Sequence, residues 1–560
     1  MTQLRDVVIQ SPGILGLNTQ GKDDVMDQKF CTVADNCIID RNGLLAARKG
    51  AKVLNGTAAT GTPTFDTIHS YVQDDGTEII VSSGGSKVWS GSTTLTDITG
   101  SMTVTADHWQ FQNIQGNCAG AQSAHEPIWW DGSGNIETLN GQNSDWAAST
   151  AYSLGDIVIP TTENGHYYEC TTAGTSNGTE PVTWDTTPGG TTSDNTVTWT
   201  TREIPKSNTA LAAFGRLWLS DASTGTIFYS DLLIPSAFSG GSSGSINLNT
   251  VWPTSNDTIV ALHVHNNNLV IFCERSIVIY ANADDIDNIT LVESITVNGC
   301  IARDSVQTIG NDVFYLANDG IRSLSRTVLQ DNMPLGEVST NIRDDIISSI
   351  NVETLADVRS TYSQKKGFYC INFPASEKTF ICDIRVQGTP RWTVWTWSLP
   401  KGLEVGKDDT LYFGLSSGYL STYSGYLDAD VSTGDTTETY ILTYRSGWLD
   451  FGLSSIKAIW KKAIWYISSE FDLTTTTTWG FDFAAKEYTE SKSVTGVPPA
   501  QYGVATYDND TYGSSFDKDT IQMNLRGTGS VIRVGTQLAV NNGNFAFNKI
   551  NLFFKTGRVR

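Results

Sequence analysis

At 560 residues the chain is too long for one hydrophobic core and must divide into several units. Charged residues make up only 17%, while 51 Gly, 10% aromatics and abundant Thr, Ser and Asn suit short strands and tight turns, which excludes long helical arrays and disorder. Lys and Arg number 37 against 59 Asp and Glu, a formal charge of −22 that excludes a sequence-independent nucleic-acid binder, because such binding needs cations to displace counterions from phosphates.

The start, MTQLRDVVIQSPG, has no charged region followed by an apolar stretch, so no secretory signal is expected. No run of about 18 apolar residues offers a membrane span. Eight cysteines (31, 37, 118, 170, 273, 300, 370 and 382) lack CxxC spacing and a neighbouring His pair. They are expected to be free thiols of a protein assembled in a reducing cytoplasm, with no zinc site. Sequons at Asn55, Asn177, Asn256 and Asn288 are what a Thr-rich chain produces by chance.

In chain order, the segment 14–55 opens on the Gly-rich turn GILGLNTQG, followed by the acidic stretch Asp23-Asp24-Val25-Met26-Asp27. One or two helical turns are expected around Phe30 to Asn36, then a strand Cys37 to Asp40 and the turn Arg41-Asn42-Gly43. Strand pairs with period-two alternation follow, at Thr67 to Val72, Glu78 to Ser82, Lys87 to Trp89, His108 to Ile114 and Ile128 to Gly132. The pattern then breaks over Asp145 to Glu203 and resumes as five copies of "apolar strand, polar turn, strand with an aromatic". These begin at Ala210, Ile259, Ser305, Tyr362 and Lys401. A recurrence of roughly 45–55 residues with three or four strands each is the mark of β-propeller blades, with stacked β-sandwiches as the alternative. One helix is expected at Val338 to Ile350, capped by Ser339 or Thr340 with Ile342, Ile346, Ile347 and Ile350 on one face. Strong strands at Ile441 to Asp450 and Ile456 to Ile467, a Thr-rich loop Thr474 to Thr478 and an alternating end that finishes basic suggest a last β-domain. The expected architecture is therefore all-β. Residues 1–144 carry the amino-terminal segment and first blades, 145–203 an insert, 204–439 further blades and 440–560 a carboxy-terminal β-domain.

No dinucleotide or phosphate-binding glycine loop, HExxH, GxSxG or sialidase-type box occurs. His69, His108, His125, His166, His263 and His265 are dispersed. His263 and His265 share a strand face and could form a metal pair, but with no third ligand the ordinary strand reading is preferred. No enzyme and no cofactor is expected, although a carboxylate pair for glycoside hydrolysis stays open.

The order in 14–55, from Leu17 and Asn18 through Asn36, Arg41 and Gly43 to Arg48 and Lys49, resembles the amino-terminal signature of tail nozzle (tail tubular) proteins of short-tailed bacteriophages. The resemblance extends to 109–132, the central repeats and the closing Gly557-Arg558. It implies a structural virion protein of the phage tail, assembled in the host cytoplasm. Such a protein forms a homohexameric ring around a DNA channel, docks on a tail adaptor, supports tail fibres and lets DNA pass without specific binding. It also implies that these seven residues belong to an assembly segment, in which GILGLNTQG is an assembly and packing element that starts the propeller near a subunit contact. The insert, through Trp146, Tyr152, Gly155-Asp156-Ile157-Val158, Tyr167-Tyr168-Glu169-Cys170 and Trp184, resembles small three-stranded chitin/cellulose-binding modules. That makes Trp146, Tyr152, Tyr167, Tyr168 and Trp184 candidates for stacking on a host surface glycan; the alternative is that Trp146, Tyr152 and Trp184 are simply the core of a small domain. The rival to the nozzle is a receptor-binding or polysaccharide-degrading tailspike that uses the insert to grip its glycan.

Overall fold

The computed structural model describes residues 4–21, 26–104, 107–221, 223–252, 257–296, 298–325, 336–386, 390–451, 456–496 and 519–559. Asp23, Asp24 and Val25 of the acidic stretch, the sequon residue Asn256 and the terminal Arg560 lie outside these. The fold is all-β. Seven antiparallel blades follow one another between Thr67 and Tyr423, interrupted by the insert, with blade 6 continuing into a larger sheet, and each begins with a strand beside the first strands of the blades before and after it. Those first strands are Thr67–Val72, Gln110–Ile114, Thr209–Ala213, Ile259–His265, Gln307–Ile309, Arg359–Ser363 and Gly402–Val405, opening blades 1 to 7.

Alternation along each strand sends successive side chains to the two neighbouring blades, so every interface has its own apolar cluster. Tyr71 and Val81 meet Trp109 and Ile128 between blades 1 and 2, and Ala119 and Trp129 meet Leu217 and Leu219 between blades 2 and 3. Trp218 and Ile227 pack on Leu269 and Ile271, then Phe272 on Tyr315, and Phe314 on Tyr369. Phe368 and Trp395 face Leu411 and Phe413, and Leu420 of blade 7 closes the ring on Ile68, Ile80 and Trp89 of blade 1. Burial on both faces explains why Phe368–Phe373 is buried at all of its positions. Blade 5 has three strands; blade 7 takes its fourth, Ala51–Val53, from the start of the chain, pairing Ala51 with Tyr423 and Val53 with Ser421. The amino-terminal segment thus fastens the ring shut.

Beside the ring stands a two-sheet platform. In one sheet Cys31–Asp35 joins the outer strand of blade 6 (Arg391–Thr396) to Tyr440–Ser446, Ile532–Val540, Leu473–Phe481 and Glu487–Val494. The other is built on two long paired strands, Ile456–Ser469 and Phe545–Val559, with Cys37–Ile39, Leu45–Ala47, Asp519–Met523, Gly527–Gly529 and Leu4–Gln10 around them. Trp460, Trp465, Trp479, Leu538, Phe547 and Ile550 fill the space between the sheets. Residues 4–53 are therefore shared by the platform and the last blade, while blade 1 starts at Thr67.

Four sequence expectations change. The turns expected around Phe30 to Asn36 are the strand Cys31–Asp35, because Cys31 and Ala34 are buried between sheets. Thr474 to Thr478 lies inside the strand Leu473–Phe481; Thr475 and Thr477 are buried, and Thr475 meets Thr536 hydroxyl to hydroxyl. The helix shortens to Arg343–Ile350 after a single tight turn Thr340–Ile342, and Ser339 Oγ accepts the Ile321 amide instead of capping it. The insert is a four-stranded sheet (Ile157–Val158, Tyr167–Thr172, Val197–Arg202 and Thr191–Asp194) plus the ribbon Ala151–Tyr152 with Gly174–Thr175, where three strands were expected.

Candidate functional site: the axial cavity

The seven first strands converge on one cavity of about 330 Å³, to which all of them contribute lining residues. Its wall is mainly polar: His69 from blade 1, Gln110 and Gln112 from blade 2, His263 from blade 4, Gln307 from blade 5, Arg359 and Ser360 from blade 6 and Glu404 from blade 7. Arg303 and Asp304 come from the turn before blade 5. Several of these groups also stitch the ring. Gln110 Oε1 accepts the Ala210 amide at 2.7 Å and Gln112 Oε1 the Ala212 amide at 3.3 Å, while Gln307 Nε2 donates to the Ser360 carbonyl at 2.9 Å.

The cationic side is internally satisfied. Arg303 is bidentate to Asp304 (2.9 and 2.8 Å) and donates to the carbonyls of Asn208 and His108. Arg359 pairs with Asp304 at 3.0 Å and donates to the Asp66 and Val358 carbonyls. Burial pushes the Asp304 carboxyl up, but the two guanidinium groups outweigh it and hold the group below the usual carboxylate range. Nearby, His108 sits in the left-handed backbone region (φ 62°) with its ring between Asp66 Oδ2 at 3.1 Å and Asp357 Oδ1 at 3.4 Å.

Across the cavity Asn113 Nδ2 donates to the Ser70 carbonyl at 3.0 Å, which leaves its Oδ1 to accept from His69 Nε2 at 2.9 Å. His69 is therefore the Nε2–H tautomer with a bare Nδ1, and that atom lies 4.0 Å from Glu404 Oε1. Burial drives the His69 ring down to about 4, partly opposed by Asn113, and drives His263 down to about 4, reinforced by His265. Enclosure pushes Glu404 up to about 8, with the Ser70 amide pulling back and Asp304 and Glu78 adding to the rise. His263 bonds Thr308 Oγ1 at 2.7 Å and His265 bonds Asn266, so the two do not act as a pair. Among the described residues no group of three or more His, Cys, Asp or Glu side chains is placed to hold a metal ion. Chemically, the cavity offers neutral imidazoles, one carboxyl that titrates near neutrality and a fixed ion-pair cluster.

The sequence-derived candidates lie elsewhere. In the insert, Trp146 and Trp199 both donate to Asp194 Oδ2 (2.8 and 3.1 Å), and Tyr168 packs on Trp184 with ring planes tilted by 42° and centroids 4.3 Å apart. Trp146, Tyr167 and Tyr168 are buried, the first and last in the module's core and Tyr167 against blade 3; Tyr152 and Trp184 are half-buried. Packing consumes the ring faces that stacking on a sugar would need at Trp146, Tyr167 and Tyr168.

Of the assembly segment, Leu17, Asn36 and Arg48 are buried within the chain, Asn18, Gly43 and Lys49 are half-buried, and Arg41 is exposed. Arg48 makes a bidentate pair with Asp428 (2.8 and 2.6 Å), donates from Nε to Asn36 Oδ1 at 2.8 Å and lies between the rings of Trp397 (4.1 Å) and Tyr440 (3.9 Å). Asn36, at φ 57°, also donates to Thr396 Oγ1 and the Ile441 carbonyl. Lys49 lies over Tyr426 at 3.7 Å, and burial lowers its ammonium. Within the chain, Asn36 and Arg48 form a latch that joins propeller to platform.

Sequence reasoning did not single out Arg303, Asp304, Arg359 or Glu404. Their shared signal is position: each lies on or just before the first strand of a repeat, as His69 and His263 also do.

No protein-family model matches the chain, and no curated protein does. Among solved structures it is similar to PorZ of the type-IX secretion system of Porphyromonas gingivalis (10% identity, TM-score 0.34), with 65% of this chain aligned to 37% of that one. It is also similar to the WD40 domain of Neurospora crassa Pan2 (7% identity, TM-score 0.35, 67% of this chain and 96% of that one). Virginiamycin B lyase from Staphylococcus aureus aligns at 12% identity and TM-score 0.28 over 65% of this chain and 97% of the lyase. At such scores these likenesses carry no argument about function, and the propeller assignment rests on the ring of seven sheets itself.

Proposed function

We propose that the chain is a structural subunit of a short phage tail, a distal nozzle protein that forms a ring with copies of itself, docks on a tail adaptor and supports fibres outside. The observation that carries this reading is the opening segment. The residues through which it resembles nozzle proteins include Asn36 and Arg48, and these tie platform, blade 6 and blade 7 into one body. A part that transmits force between neighbours needs such a joint, and a desolvated, bidentate ion pair holds a fixed geometry. The axial cavity, about 330 Å³, is far too small for a double helix whose major groove alone is about 12 Å wide. In this reading DNA therefore runs through the space enclosed by several subunits, and the charge of −22 keeps its phosphates from adsorbing.

Mass photometry of the purified chain, with and without its adaptor, tests the reading. Closed rings at the six-fold order implied by the resemblance are expected. A stable monomer, or a trimer that cleaves polysaccharide, would favour the tailspike reading instead.

A further inference from the structure

We propose that the axial cavity is a binding site for a small primary ammonium compound, held between Glu404 and His69. His69 donates from Nε2 to Asn113, so its Nδ1 presents a lone pair, and it faces Glu404 Oε1 across 4.0 Å. At 4.0 Å the two groups do not bond each other directly, and once the Glu404 carboxyl is ionised both present acceptors, so the gap suits a bridging N–H donor.

The surroundings narrow the donor's chemistry. About 30% of the Glu404 side chain is open to the cavity, and among the described residues no side-chain donor reaches its carboxyl oxygens. The nearby guanidinium groups of Arg303 and Arg359 are committed to Asp304 and backbone carbonyls. They neither supply the missing donor nor leave an unpaired cation to attract an anion. A neutral alcohol would place one donor where two acceptors wait. A primary ammonium has three and brings the charge that an enclosed carboxylate lacks, and charge-assisted bonds are the stronger kind. The cavity of about 330 Å³ has room for the alkyl portion of such a ligand beside Ile68, Leu211, Leu262 and Leu403.

Binding is coupled to pH. The groups facing Glu404 are His69 on blade 1, Glu78 on the next strand of that blade, Asp304 with Arg303 and Arg359, and Tyr412 across the strand pair in blade 7. Of these, His69 is neutral at physiological pH. The ligand must ionise a carboxyl that otherwise titrates near 8, so its affinity rises as pH is raised from 6 towards 8.

The site does not depend on the nozzle reading. Its test is isothermal titration calorimetry of the full chain with n-butylammonium chloride. Two comparators are used, tetramethylammonium chloride (the same charge without an N–H) and 1-butanol (a similar chain without charge). Saturable binding of butylammonium at one site per chain is expected, with both comparators and the Glu404→Gln variant weaker by about tenfold or more. No saturable butylammonium binding would overturn the proposal. So would equal binding of either comparator, or unchanged affinity in Glu404→Gln. Should that variant fold poorly, the comparators on the parent protein decide alone.

Discussion

Arg48 is where three parts of the chain meet: its guanidinium lies between Trp397 beyond blade 6 and Tyr440 of the platform and is clamped by Asp428 beyond blade 7. Removing one member of a buried pair leaves the other charge uncompensated. Arg48→Ala should therefore cost about 3–5 kcal/mol, while Arg48→Met combined with Asp428→Leu should recover most of it. A double-mutant cycle in denaturant measures both. The axial groups give a pH signature of opposite signs. His69 and His263, held down at about 4 from 6.5, contribute stability that is present above 6.5 and lost as pH falls through about 4. Glu404, raised from 4.5 to about 8, contributes stability that is present below 4.5 and lost as pH rises through about 8. In ligand-free protein, Glu404→Gln should thus flatten the alkaline limb of a melting-temperature profile. At pH 9 it should gain on the order of 1–2 kcal/mol over the parent, after allowance for the carboxyl's exposure to the cavity.

At the level of elements, the turn GILGLNTQG works by close approach. Gly16 has φ +78°, a Cβ there would stand 2.7 Å from both the amide nitrogen and carbonyl oxygen of Trp392, and the next amide, Leu17, donates to that carbonyl. Gly16→Ala should therefore destabilise by more than about 1 kcal/mol in thermal unfolding, since strain and backbone contact add. Blades 3 to 7 were legible in the sequence because apolar runs carrying aromatics recur between polar turns, and burial on both faces keeps those runs continuous. Leu473–Phe481 was not, because a run of Thr reads as a polar loop, and only tertiary pairing shows that Thr475 is buried against the Thr536 hydroxyl. The insert's boundaries were visible as a break in rhythm, whereas the inward turn of Trp146 depended on Asp194, a partner with no local cue. Arg48 stood out in the opening segment, yet its partner Asp428 lies 380 positions away. The axial site was scattered for the same reason: one or two residues per repeat mean little until the ring brings them together.

For the whole molecule, closure is the decisive feature. The strand Ala51–Val53 completes blade 7, Leu4–Gln10 pairs with Phe545–Val559, and Cys31–Asp35 couples blade 6 to the platform, so the opening segment joins the last two blades to both platform sheets. Deleting residues 1–53 should leave blade 7 with an open edge and divide the platform from the ring. Limited proteolysis is expected to cut such a chain between blades 6 and 7 while the full chain resists. The nozzle reading asks more, that this rigid body repeat around an axis with DNA at the centre. Cryo-electron microscopy of the intact particle tests it most directly. Copies of this chain are expected in a six-fold ring at the distal tip, enclosing a lumen lined by carboxylates. Copies placed at the side as trimeric spikes, or a lumen lined by Lys and Arg, would contradict it.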